Sequence, residues 1–219
     1  MPKQWYDLSQ AYREGMPEAA GHEKLALQEH VSELTGSHIT NIRLNSHTGT
    51  HIDAPFHFLR DKPTIDEIPL ERFTGRAAVI NIEKKELEQI TQNDLVSYKK
   101  VIEETEILFI RTGWEEKWSQ EDYTWKYPYV SKEAAEYLAS TKIKIFGTDT
   151  ISPDPSVKSG LRKKTGSAAH MTLLSHDILV IENLTNLKSV LGKKILVFAF
   201  PLKIVRSDGS PIRVVACDL

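Results

Sequence analysis

Cysteine is almost absent from this chain, and that alone narrows its chemistry. The single thiol, Cys217, excludes an intramolecular disulfide framework and a cysteine-built structural zinc site, and it fits a reducing compartment. It lies in an apolar, strand-like run near the C-terminus and reads as packing. No apolar run approaches the length that crosses a bilayer, and Met1-Pro2-Lys3-Gln4-Trp5 lacks a signal-peptide core, so the expected location is the cytoplasm. An excess of one charge sign is missing too. A formal net charge of −2, with both signs interspersed, offers no docking surface to nucleic acid or an anionic membrane, and the expected partner is a small molecule. Repeats, coiled-coil heptads and low-complexity tracts are absent. The 219 residues, 40% of them hydrophobic, suffice for one large domain over 1–219 with a proper core.

What the chain does have is histidine in a telling place. The run Ser46-His47-Thr48-Gly49-Thr50-His51-Ile52-Asp53-Ala54-Pro55-Phe56-His57-Phe58 sets three imidazoles and a carboxylate at odd positions with small or apolar residues between them. In an extended chain successive side chains alternate, so His47, His51, Asp53 and His57 project one way and Ile52, Phe56 and Phe58 the other. That is the pattern of a metal site. A helix with two histidines four apart is the competing reading, but Gly49, Pro55 and the β-branched Thr48, Thr50 and Ile52 oppose it. A straight strand separates residues four apart by roughly 13 Å, too far to share one ion at Zn–N distances of about 2.1 Å. The chain must therefore bend, and Gly49 is the expected place.

Elsewhere the pattern predicts strands at Trp5–Leu8, Ala77–Ile82, Glu106–Arg111, Lys144–Phe146 and Ile178–Ile181. It predicts helices beginning near Thr91 or Asn93, after Ser131 as N-cap, and after Ser167 as N-cap, the last carrying His170 near its start. His38–Leu44 alternates and reads as a hairpin arm leading into the histidine run, while Leu25–Thr35 is ambiguous. The segments Lys194–Val205 and Ile212–Cys217, joined by Ser207-Asp208-Gly209-Ser210, read as a closing hairpin. Strands outnumber helices and both parallel and hairpin connections occur, which predicts a compact, mixed α/β domain. Gly113–Val130 holds Trp114, Trp118, Tyr123, Trp125, Tyr127 and Tyr129, either as a lid or pocket wall for an aromatic ligand or as pins for a long loop or an oligomer contact. Asp149, Ser152 and Asp154 follow a strand's carboxyl end, where they shape the turn or touch substrate; turn propensity favours the former. The basic stretch 156–167, with Lys158, Arg162, Lys163 and Lys164, reads first as a solvated loop and second as an attractor for an anionic substrate.

The sequence resembles the cyclase family of metal-dependent hydrolases, which includes bacterial kynurenine formamidases. The run from His47 through Phe58 matches that family's H-x-G-T-H-x-D-x-P-x-H signature throughout. Weaker matches follow in order: Asp7-Leu8-Ser9, Arg111-Thr112-Gly113-Trp114, Gly147-Thr148-Asp149-Thr150, His170, Glu182-Asn183-Leu184, Pro201-Leu202 and Asp208-Gly209-Ser210-Pro211. The resemblance implies a swivelling β/β/α fold around a twisted sheet, and homodimers or higher assemblies. It implies that His47, His51 and Asp53 hold one zinc, that Asp53 bridges to a second held by His170 and Glu182, and that His57 is the acid/base. Spacing alone would not select His170 or Glu182. Manganese or another divalent ion is compatible with the same donors.

The implied reaction is hydrolysis of a small aromatic amide, N-formylkynurenine giving kynurenine and formate. A cyclic amide or lactam, as isatin hydrolases open, is the close variant. A non-haem iron oxygenase using His51, Asp53 and His170, or a metal- or ligand-binding protein without turnover, are the rivals of other classes. One departure bears on substrate. Family formamidases carry an aromatic in Met-Pro-x-Trp-Pro-Gly, whereas this chain reads Met16-Pro17-Glu18-Ala19-Ala20-Gly21. Trp114, Trp118 and Trp125 are the candidates to replace that wall.

Overall fold

The computed structural model describes residues 4–219. Met1–Lys3, part of the stretch read for a leader, lie outside the described residues. Nine strands form one mixed sheet. In chain order its members are β1 (Trp5–Asp7), β4 (His51–Asp53), β5 (Thr74–Asn81), β7 (Ile107–Arg111), β9 (Ile145–Thr148), β10 (Leu179–Glu182), β11 (Ile195–Phe198), β12 (Gly209–Pro211) and β13 (Val215–Asp218). Two small sheets supply the others: the exposed hairpin β2 (Ala26–Val31) with β3 (His38–Arg43), and the parallel pair β6 (Gln89–Ile90) with β8 (Tyr129–Val130). The hairpin is the arm anticipated before the histidine run, and the ambiguous segment is its first strand.

The large sheet runs β1-β13-β11-β5-β7-β9-β10-β4-β12. Its centre, β5-β7-β9-β10, is parallel, and both flanks are antiparallel. Chain length forces this sheet to curl. β12 and β13 lie seven strand positions apart, which a flat sheet would stretch to about 34 Å. Only Ile212–Val214 connect them, a span of at most about 14 Å. The curl is stitched where Leu8 N–H donates to the Val214 carbonyl at 2.9 Å and Thr185 N–H donates to the Leu8 carbonyl at 3.1 Å.

Alternation along the strands fills two layers. Ile107 and Phe109 of β7, Ile145 of β9, and Leu179 and Ile181 of β10 face the interior of the curl with Leu8, Ile52 and Val197. Leu108, Ile110, Phe146 and Val180 face outward onto the helices α1 (Gln92–Val96), α2 (Lys99–Glu103), α3 (Lys132–Ala139) and α5 (Ala168–Ser175), the last preceded by the single turn α4 (Arg162–Thr165). Burial on both faces explains why β7 reads as an unbroken apolar run. A third cluster caps one end, with Met16 and Leu25 packed against Trp114, Trp118, Tyr123, Tyr127 and Ile151. Cys217 is buried in β13, as packing requires. No helix among the described residues is long and apolar enough to cross a membrane.

Two local expectations change. The closing segments do pair, β11 antiparallel to β13, but the chain between them is no simple hairpin turn: it swings to the far edge and adds β12 beside β4. Ser167 does not cap α5. Its hydroxyl accepts from Arg162 Nη2 at 2.7 Å, and the Ala169 N–H is met instead by Asp154 Oδ1 at 2.8 Å. Thr91 and Ser131 do cap α1 and α3, each accepting from the backbone N–H three residues on.

Candidate metal centre

The histidine run does not stay extended. His47 sits in a turn, Gly49 bends the chain at φ +61°, only His51–Asp53 is strand, and His57 ends a short 3-10 turn over Pro55–His57. These bends, rather than strict alternation, bring the four donors together. Phe58, expected on the opposite face, stacks on His170 with ring centroids 4.8 Å apart. Gly49 is tightly specified: a Cβ there would lie 2.5 Å from Tyr12 Cε1. The Tyr12 hydroxyl in turn donates to the carbonyls of Thr48 and Thr50, at 2.7 and 3.1 Å, and so clamps the bend.

Register decides which side chains meet. β4 pairs antiparallel with β10, placing His51 opposite Glu182 and Asp53 opposite Val180, all on the helix-facing side of the sheet. α5 packs over this face and lowers His170 onto it. His170 Nε2 lies 3.3 Å from Asp53 Oδ2 and 3.1 Å from Glu182 Oε1, while His51 Nε2 lies 3.1 Å from Glu182 Oε2. His47 Nδ1 approaches Asp53 Oδ1 at 2.9 Å. The six residues singled out in sequence therefore converge. Five of them fall into two overlapping groups that share Asp53, namely His51, Asp53 and Glu182, and His47, Asp53 and His57, while His170 reaches Asp53 and Glu182 from α5. This grouping differs from the resemblance, which put His47 with His51 and left His57 outside the donor set.

Two buried atoms identify what the site is built for. His51 Nε2 and Asp53 Oδ1 have no hydrogen-bond partner, although both face other polar atoms at short distance. Unpaired buried polar atoms cost free energy unless a bound species completes them. Both aim into the donor cluster, and a divalent cation suits two carboxylates and neutral imidazoles in one dry place. The residues therefore fit such an ion.

The outer ring nitrogens are all held. His51 Nδ1–H donates to the Gly49 carbonyl at 2.8 Å, His47 Nε2–H donates to Asp208 Oδ2 at 2.8 Å, and His170 Nδ1–H donates to Asp154 Oδ2 at 2.5 Å. Each contact fixes the tautomer that leaves the inner nitrogen's lone pair toward the cluster. His57 Nδ1–H also donates to Asp208 Oδ2, at 3.0 Å, leaving Nε2 toward the cavity. In the metal-free protein, protons take the cation's place on the inner nitrogens. Burial opposes the charged form of His47 and His51, yet the carboxylates beside them, Asp208 and Asp53 for the first and Asp53 and Glu182 for the second, raise their pKa to about 9 and about 10. Burial likewise opposes ionised Asp53, but His170, His47 and His51 hold its carboxyl well below the usual range. The pocket is electronegative and calls for positive charge.

Asp208 and Asp154 carry three of these four contacts; in the sequence Asp208 reads as a turn residue and a family landmark, and Asp154 as a turn former first and a substrate contact second. The three turn residues after β9 divide. The Asp149 carboxylate ties down the loop after β7 by accepting from the N–H groups of Thr112 and Gly113 and the Thr112 hydroxyl. Asp154 orients His170. Ser152 lines a cavity of about 320 Å³ that opens from the imidazoles to solvent, together with Trp125, Tyr127, Lys158 and Arg162. The aromatic segment is thus both things at once: Trp114 and Trp118 pin the loop, and Trp125 supplies the wall.

The family described as Putative cyclase matches residues 6–155, which include the whole histidine run. The chain belongs to the cyclase family. Among curated cyclase-family relatives, the kynurenine formamidase of Bacillus cereus is 31% identical over 214 residues, covering 97% of this chain and 96% of that one. Isatin hydrolase A from Labrenzia aggregata, solved with benzyl benzoate bound, superposes with a TM-score of 0.88 at 26% identity, over 99% of this chain and 94% of that one. A predicted metal-dependent hydrolase from Bacillus stearothermophilus superposes with a TM-score of 0.82 at 27% identity, and each chain is covered completely. At the level of chemistry, this is a cyclase-family metal-dependent hydrolase.

Proposed function

We propose that the protein is an arylformamidase that hydrolyses N-formylkynurenine to kynurenine and formate, using one or two divalent metal ions, zinc first among them. The observation that carries the reading is the set of four imidazoles around Asp53, with the outer nitrogens of His47, His51 and His170 each held by an acceptor. His51, Asp53, Glu182 and His170 would hold one ion, and His47 with Asp53 would reach a second. When bound, such an ion lowers the pKa of a water toward about 7 and places positive charge beside the substrate carbonyl oxygen.

The chain's own residues do the rest. His57, kept in one tautomer by Asp208, presents Nε2 to the cavity, where it takes a proton as water oxygen bonds to the formyl carbon. The C–N bond then breaks, and the same imidazole returns that proton to the arylamine nitrogen. Formate and the free amine leave. Trp125, Tyr127 and Phe58 line the cavity with ring faces suited to an aryl group. An oxygenase is disfavoured because Glu182 adds a second carboxylate to the two histidines and one carboxylate of a facial triad. Opening of a cyclic amide is the second reading, favoured by the close superposition with isatin hydrolase A.

The deciding experiment compares N-formylkynurenine and isatin as substrates for the protein as purified, after chelation, and after zinc or manganese is restored. Turnover of the formamide that vanishes and returns with metal supports the proposal. Turnover of isatin alone would replace it with the second reading.

A further inference from the structure

Arg162 and Lys158 stand out because neither makes an ion pair at the cavity they line, although Arg162 is near enough to Asp154 to help hold that carboxyl below its usual range. Two cations of the aromatic segment's surroundings are paired, Lys126 with Glu86 and Asp122, and Arg111 with Glu83, Glu115 and Glu116, whereas Arg13 has a hydroxyl partner, Ser119 Oγ at 3.0 Å. Among the described residues, no carboxylate lies within ion-pair distance of Arg162 or Lys158. Arg162 is half-buried, and its guanidinium spends Nε and Nη2 on one hydroxyl, Ser167 Oγ, at 3.2 and 2.7 Å. Nη1 has no protein acceptor among the described residues. The Lys158 ammonium rests over the Trp125 ring, 4.5 Å from its centroid. All three side chains line the same cavity as His51, His57, His170 and Glu182.

We propose that Arg162 and Lys158 form a carboxylate-binding subsite at this cavity, with Trp125 as its aromatic floor, and that it selects aromatic amides bearing a carboxylate. A guanidinium forms paired, charge-assisted hydrogen bonds to a carboxylate, and an aromatic face beside it accommodates the ring that carries the acid. The basic loop therefore does more than solvate the surface: half-buried Arg162 and exposed Lys158 both line the cavity, whereas Lys163 and Lys164 do not. The inference rests on the amide-hydrolase reading for the identity of the substrate, but not for the binding of the acid.

The test measures discrimination. Calorimetry compares 2-aminobenzoate with 2-aminobenzamide, and kinetics compares N-formylkynurenine with its methyl ester, in the metal-loaded wild type and in R162Q, R162K and K158Q. The wild type should prefer the acid in both, and R162Q should shrink that preference about ten- to hundred-fold, chiefly through KM. K158Q should shrink it only a few-fold, as expected for an exposed point charge. R162K, which keeps the charge but not the planar fork, should fall between R162Q and the wild type. A purely structural Arg162 would lower acid and neutral ligand alike and leave the ratio intact; that result, or a wild type without preference, overturns the subsite. Failure of the formamidase reading would look different: no formamide turned over, with the acid preference in binding still present and still lost in R162Q.

Discussion

Asp154 and His170 are joined twice. The Asp154 carboxylate accepts from His170 Nδ1–H at 2.5 Å and from the His170 backbone N–H at 3.3 Å, besides capping α5 at Ala169. A helix start and an imidazole that faces Asp53 and Glu182 are thereby positioned by one buried side chain. Asp154→Asn keeps the shape but weakens both hold and tautomer choice. Metal affinity should fall about 10–100-fold, measured by competition with a chromophoric chelator. An unchanged affinity would remove His170 from the donor set.

His57 and His51 should separate in the metal they retain. His57→Ala is expected to keep metal at the His51, Asp53, Glu182 and His170 donors while turnover drops about 10²–10⁴-fold. His51→Ala should lose metal and turnover together. The measurement is metal content by mass spectrometry beside the rate. Equal metal loss in both variants would make His57 a ligand, a role its place within 4.8 Å of His47 and Asp53 donor atoms leaves open to the geometry.

In the metal-free protein the imidazoles should make stability depend on pH. His47 and His51 have folded pKa values of about 9 and about 10, above the ordinary imidazole value near 6.5. A histidine raised on folding contributes stability that is complete below about 6.5 and is lost as pH climbs through the folded value. The Tm of chelated protein should therefore fall from pH 7 to pH 10. Metal must displace those protons, so the Tm gain on adding zinc should grow over the same range. A flat profile for chelated protein would show that the cluster carries no such protons.

Gly49→Ala tests the bend. Positive φ and the Tyr12 ring at 2.5 Å from the added Cβ together should cost about 1–3 kcal/mol, read from denaturant unfolding. Because the bend delivers His47 and His51, metal affinity should fall as well. Wild-type stability in this variant would mean that the Tyr12 clamp yields freely.

By itself the sequence determined most of the converging histidine and carboxylate cluster and the parts of the fold that rest on local rules. The run from His47 to His57, the bend at Gly49, the apolar strands β5, β7, β9 and β10, and the caps Thr91 and Ser131 all follow from steric and hydrogen-bonding preferences within a few residues. The joining of distant segments was decided only by tertiary structure. The pairing of β12 with β4, which sets Asp208 against His47 and His57, depends on a sheet curled until its edges approach, and no local pattern encodes that closure. Asp154 reached His170 for the same reason: the turn after β9 and the start of α5 are neighbours in space because β9 and β10 pair in parallel. Turn residues look alike in sequence whether they face water or a metal centre, because their preference is for a backbone shape, and only packing decides what their carboxylates meet.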